Sequence, residues 1–129
     1  MSEYPKFKMA FSIGNTNEER IEAYEMYQKA FNAVKIDEGT PPDSDDIHIS
    51  IEINGFEILL APGGKVEKIT ENAMSCEIHF DNSDDLRKAY DILRKDSRQH
   101  SLDGPFEWAV LLALVTDKFG ICWALYYNE

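Results

Sequence analysis

The chain has 129 residues, 43% of them hydrophobic and 29% charged, a composition ordinary for one globular domain and too apolar for a disordered segment. Its formal net charge of −11 repels a phosphate backbone, so nucleic acid and anionic membrane surfaces are disfavoured as partners. No apolar run approaches the roughly 20 residues that span a bilayer, and the polar start Met1-Ser2-Glu3-Tyr4-Pro5-Lys6 lacks a signal-like apolar region, so a cytoplasmic protein is expected.

Met9-Ala10-Phe11-Ser12-Ile13 alternates as a strand and is ended by Gly14-Asn15-Thr16-Asn17. A helix should follow, with Thr16 and Glu19 as a capping box and Ile21, Tyr24, Tyr27 and Phe31 as its apolar stripe. A short strand is predicted over 33–38, and the turn formers and acids of 39–46 read as a mobile loop. Ile47, Ile49, Ile51 and Ile53 then alternate with His48, Ser50, Glu52 and Asn54, which defines a strand with one buried face. Asn54-Gly55 tolerates the positive φ of a type I′ turn and should join that strand to Phe56-Glu57-Ile58-Leu59-Leu60. Ala61-Pro62-Gly63-Gly64-Lys65 breaks the pattern, and the polar stretch through Asn72 should connect two halves.

The pattern then restarts. Cys76, Ile78 and Phe80 alternate with Glu77, His79 and Asp81, and Asn82-Ser83-Asp84-Asp85 opens a helix with Leu86, Tyr90 and Leu93 on one side. His100 falls in the polar run Ser97-Arg98-Gln99-His100-Ser101 and should be an exposed loop residue. The apolar run 108–116 reads as a strand covered on both faces, although periodicity alone also permits a helix. Asp117-Lys118-Phe119-Gly120 should turn it into a last strand, 121–127. Cys76 and Cys122 both lie in strand-like apolar runs, where a thiol behaves as a small hydrophobe; reduced thiols are expected, with a disulfide disfavoured by the compartment. Asn15-Thr16-Asn17-Glu18 with Ala23-Tyr24 is echoed by Asn82-Ser83-Asp84-Asp85 with Ala89-Tyr90; helix capping alone favours such residues, and the matching element order points to an internal repeat.

The tandem halves, the hairpin before Pro62-Gly63-Gly64, the helix segment Glu25-Met26-Tyr27-Gln28-Lys29-Ala30-Phe31 and the ending Asp117-Lys118-Phe119-Gly120-Ile121-Cys122-Trp123 together resemble the vicinal oxygen chelate superfamily. This is the glyoxalase/bleomycin-resistance/extradiol dioxygenase fold, and the PhnB-like branch is the nearest resemblance. It implies an α+β fold in which two tandem βαβββ modules, about 5–62 and 73–129 of a single domain 1–129, form a curved mixed sheet around a pocket with the helices outside. Homodimers are frequent in the superfamily, so a homodimer is expected. Its metalloenzymes hold a divalent ion with His or Glu on the first and last strand of each module, leaving open positions for vicinal oxygens of a substrate. Carried over by strand order, those positions fall near Lys8, Ile58, Ser75 and Ala124, none of them a competent ligand. A slip of one or two residues brings in Glu57 or Glu77 without completing a set, so no catalytic metal and no cofactor are expected.

The expected ligand pocket comprises Lys8, His48, Glu57, Ser75, His79 and Trp123. Each histidine has a plain alternative as a solvated or hydrogen-bonded side chain, and Trp108 and Trp123 have one as core. Lys8 could hold an anionic group, and Glu52, Glu57 or Glu77 could act as a general base if a pocket raised its pKa. No G-x-S-x-G, G-x-x-x-x-G-K, C-x-x-C or G-x-G-x-x-G occurs, and nothing in the residues marks a phosphonate site. The leading expectation is a metal-independent module that binds or sequesters an unknown small molecule. The alternatives are a lyase- or dioxygenase-type enzyme with an altered metal site, a metal-free catalyst using a strand carboxylate, and a structural or protein-interaction domain.

Overall fold

The computed structural model describes residues 7–63 and 74–128, so the polar start and most of the connector expected through Asn72 lie outside the described residues. The chain divides into two compact units, Met1–Val66 and Glu67–Glu129. In the first, β1 (Met9–Ser12), α1 (Asn17–Phe31), β2 (Val34–Gly39), β3 (His48–Ile53) and β4 (Phe56–Ala61) form a four-stranded sheet of order β1-β4-β3-β2. In the second, β5 (Cys76–Phe80), α2 (Ser83–Leu93), β6 (Gln99–Asp103), β7 (Leu111–Thr116) and β8 (Cys122–Tyr127) repeat it as β5-β8-β7-β6. First and last strands pair in parallel in both units, and the remaining pairs are antiparallel. The repeated capping sequence is therefore one sign of a repeated βαβββ module.

Both helices start on side-chain caps. Thr16 Oγ1 accepts from Glu19 N at 3.2 Å while Glu19 Oε1 accepts from Asn15 N at 3.1 Å, and Asn82 Oδ1 accepts from Asp85 N at 2.8 Å. Leu86, Tyr90 and Leu93 form the buried side of α2 as the spacing required.

The stripe expected on α1 holds at Tyr27 and is otherwise shifted to Arg20 and Ala23. Arg20, Ala23 and Tyr27 face the sheet, while Ile21 is 40% exposed and Tyr24 and Phe31 are half-buried. A charge wins a core position because its guanidinium finds partners there: Nη1 donates to Ile13 O at 3.1 Å and Nη2 to Asn17 Oδ1 at 2.8 Å, with Asp46 Oδ1 at 3.6 Å. Asn17 also donates to Asp45 O and accepts from Ile47 N. The acidic loop expected to be mobile is thus tied to the start of α1.

Asn54 and Gly55 adopt φ of 47° and 87°, the type I′ turn expected between β3 and β4, and Ile49, Ile51, Ile58 and Leu60 are buried beneath α1. Ile47, expected within the strand, stands just before it.

Two corrections fall in the second unit. His100 belongs to β6, a strand missed because Gln99, His100 and Ser101 are polar; its backbone pairs with β7, and its ring meets the Tyr90 ring edge-on at 6.1 Å. The run 108–116 enters its strand only at Leu111, because Phe106 N donates to Ala109 O in a tight turn that holds Trp108 outside the sheet, 56% exposed. Leu114, expected under cover, is 48% exposed among the described residues.

Candidate ligand-binding site

Strand register divides each sheet into a helix-packed face and a helix-free face. In the second unit Ala113 and Val115 pair with Leu125 and Trp123, all of them buried on the helix side. The alternate positions lie on the other face: Leu114 pairs with Ala124, Ala124 with Glu77, and Leu112 and His79 each with Tyr126. A cavity of about 350 Å³ is lined by Ser75, Gln99, Ser101, Leu114, Thr116 and Cys122, with Met74, His100, Val115 and Trp123 completing its wall. That size suits a small organic ligand.

Trp123 is 2% exposed, and its indole Nε1 donates to Asp117 Oδ2 at 2.9 Å, so its polar atom serves the fold while part of the residue borders the cavity. Asp117 Oδ1 accepts from Phe119 N and Ile121 N at 2.9 and 3.0 Å. The D-x-F-G-x-x-W pattern therefore encodes a buried carboxylate that closes the β7–β8 turn and fixes the tryptophan. Sequence reading identified the turn; nothing in it showed that the carboxylate points inward.

His79 lies on β5 with its ring stacked on Tyr126 at 4.9 Å and 9°, and its Nε2 is 3.2 Å from Glu77 Oε2. Ser75 is four residues earlier on the chain, roughly 13 Å along an extended backbone, so His79 and Ser75 mark opposite ends of this face. Trp108 leans on Tyr126 at 6.3 Å and stacks against Phe106 at 4.8 Å and 5°. Tyr126 was foreseeable from its alternation with Cys122 and Ala124, but Phe106 carried no signal.

The other predicted residues lie in the first unit. Lys8 Nζ is 3.2 Å from Glu57 Oε1, an exposed pair that also offsets the like charges of Glu52 and Glu57, which face each other across β3 and β4. His48 starts β3, half-buried, with Nδ1 3.3 Å from Asp46 O. It is roughly 13 Å along the strand from the level of Glu52, so the structure does not bring it to the Lys8–Glu57 pair.

The metal positions implied by the resemblance do not fit an ion. Ile58 is 3% exposed within the helix-packed face, and the helix-free position beside it belongs to Glu57, one residue from the expected register. Glu57 faces an ammonium rather than a second donor, and Glu77 lies opposite the methyl of Ala124. Among the described residues no three His, Cys, Asp or Glu side chains converge.

Cys76 and Cys122 are free and half-buried. Burial pushes the Cys76 thiol up, with Cys122 and Asp117 adding to the effect, and Cys122 Sγ is 3.4 Å from Thr116 Oγ1. Because the thiolate is the nucleophile, iodoacetamide at pH 7.5 should alkylate Cys76 about tenfold more slowly in the folded protein than in urea. Equal rates by peptide mass spectrometry would contradict the burial of this thiol.

Each unit has the βαβββ order that the resemblance implied, and the fold is shared with solved structures. Among solved structures, the chain is similar to a putative 3-demethylubiquinone-9 3-methyltransferase, PhnB protein, from Bacillus cereus, with a TM-score of 0.74 at 15% identity over 96% of this chain and 100% of that one. A Pseudomonas aeruginosa protein matches with a TM-score of 0.71 at 19% identity, covering 95% and 98% of the two chains. A mutant of the genomically encoded fosfomycin resistance protein FosX from Listeria monocytogenes, complexed with Mn(II) and 1S,2S-dihydroxypropylphosphonic acid, matches with a TM-score of 0.67 at 14% identity, covering 100% and 95%. No protein-family model and no curated protein matches the sequence. At these identities the shared property is the fold, and the chemistry has to be argued from this chain's own residues. No helix is long and apolar enough to cross a membrane among the described residues.

Proposed function

We propose that the chain is a metal-independent binding protein that takes a small organic ligand on the helix-free face of its second unit, acting in the cytoplasm as a homodimer. The observation that carries this reading is the cavity of about 350 Å³ bordered by Ser75, Gln99, Ser101, Leu114 and Thr116, whose hydroxyls, amide and aliphatic surface suit an organic molecule better than a metal ion.

The test is a thermal-shift screen of organic compounds in the presence of a chelator. A ligand at a hundred times its Kd should raise stability by about 2.7 kcal/mol, a shift of several degrees. The shift should persist with chelator and vanish in Ser101→Phe, which fills the cavity. Stabilisation that appears only with manganese, nickel, iron or zinc overturns the reading.

One observation favours a second reading, a metal-free acid–base enzyme: the Glu77–His79 pair at 3.2 Å supplies a carboxylate beside an imidazole. Both side chains are more than half exposed, at 58% and 66%, so water screens the pair and binding ranks first. Turnover by chelated protein that is lost in Glu77→Gln would reverse that ranking.

A further inference from the structure

The cavity occupies one end of the helix-free face, and a different chemistry occupies the other. Phe106, Trp108, Tyr126 and His79 form a continuous row of rings, with two near-parallel stacks at 5° and 9° joined by a tilted contact at 58°. A stack covers one side of a ring and leaves the other side available. Trp108 is 56% exposed and the His79 side chain 66%, so the row presents free ring surface. Its backbone is fixed: Phe106 N donates to Ala109 O at 2.7 Å, Val110 N to Tyr127 O at 2.9 Å, and Asn128 Nδ2 to Trp108 O at 2.9 Å. Rings held in advance lose little freedom on binding.

Charge decides what such a surface prefers. The strand register places the carboxylates of Glu77 and Asp103 on this face, and none of the strand residues that share it is lysine or arginine. The aromatic faces add the negative side of their quadrupoles, and the chain as a whole carries −11. An anionic ligand would meet repulsion here, and a neutral one would gain stacking alone. A flat cation gains stacking, cation–π attraction and the carboxylate field.

We infer that the Phe106–Trp108–Tyr126–His79 row is a recognition surface for a planar organic cation, of the class of N-alkylated aromatic heterocycles, with Glu77 as the charge partner. The inference rests on the binding reading and names its ligand class.

Equilibrium dialysis of the full chain at low salt against N-methylquinolinium, quinoline and naphthalene-2-sulfonate tests it. These probes share a two-ring plane and differ in charge. N-methylquinolinium should bind about tenfold more tightly than quinoline and more tightly still than the sulfonate. Trp108→Ala should weaken the cation about tenfold, and Glu77→Gln should bring cation and neutral probe together; both positions are exposed, so the fold survives. Equal affinity for cation and sulfonate, or an unchanged affinity in Trp108→Ala, overturns the inference. So does protection of Trp108 from acrylamide quenching in the protein alone, since a second copy would then cover the rings. Quinoline binding more tightly than its methylated cation removes the ligand class and leaves the binding reading intact. Failure of all three probes, together with no response in the chelated organic screen, removes both.

Discussion

Replacing Asp117 with alanine lowers stability by about 4 kcal/mol, read from urea midpoints at pH 7, a large share of the 5–15 kcal/mol that holds a domain of this size. The carboxylate is fully buried and receives the indole N–H of Trp123 and the backbone N–H groups of Phe119 and Ile121. Hydrogen bonds to a charged acceptor contribute more than neutral ones, and each buried donor left without a partner costs about 1–3 kcal/mol. Asp117→Asn keeps an oxygen for the turn amides but aims an amide N–H at the indole N–H, and should cost about half as much. Trp123→Phe combined with Asp117→Asn should add little to the cost of the latter alone, because the conflicting donor is gone; a fully additive double mutant would show that the indole–carboxylate bond does not couple the two. A loss below about 1 kcal/mol for Asp117→Ala would mean that water replaces the carboxylate in the turn.

Arg20→Lys is expected to be more damaging than Arg20→Met, the reverse of the usual ranking by similarity. Arg20 is 0% exposed and reaches Ile13 O and Asn17 Oδ1 with separate nitrogens, while its Nε has no hydrogen-bond partner among the described residues. A lysine brings the full charge to the same interior with a compact head that cannot span both acceptors, and should cost about 3 kcal/mol. Methionine removes the charge together with its desolvation penalty and keeps most of the packed stem, so about 1–2 kcal/mol is expected. Asp46 is 55% exposed and recovers water when the arginine goes, which keeps the methionine cost modest. Equal losses for the two variants would show that the site is wet enough to accept an ammonium.

These two side chains also mark how far the sequence could be read. Alternating isoleucines at 49, 51 and 53 and the Asn54-Gly55 turn are local signals with local causes, and the β3–β4 hairpin forms as they require. The repeat was legible because each strand-to-helix junction needs its own cap, at Thr16 and Asn82. Strand β6 was hidden because its backbone pairs with β7 while its side chains stay polar and partly exposed. The burial of Arg20 was not legible, since hydrophobicity alone chooses the Ile21 stripe and only the position of Ile13 O and Asn17 makes the interior acceptable to a guanidinium. The candidate site was legible by strand, not by residue: Ser75 and His79 belong to the proposed face, whereas Ile58 turned to the core and Trp108 left its predicted strand. Side-chain direction depends on register, and a slip of one residue reverses it.

The first sheet ends in β2, whose six residues are all exposed, and a register shift between Lys35 and Asp37 interrupts its pairing with β3. An unprotected edge of this length, carrying Val34 and Ile36 at 62% and 49% exposure, would invite another chain to add a strand. The irregularity breaks the straight hydrogen-bonding line that such an addition needs, and Lys35, Asp37 and Glu38 place charges along it. The same short segment that completes the first module thereby guards it against growing into fibrils.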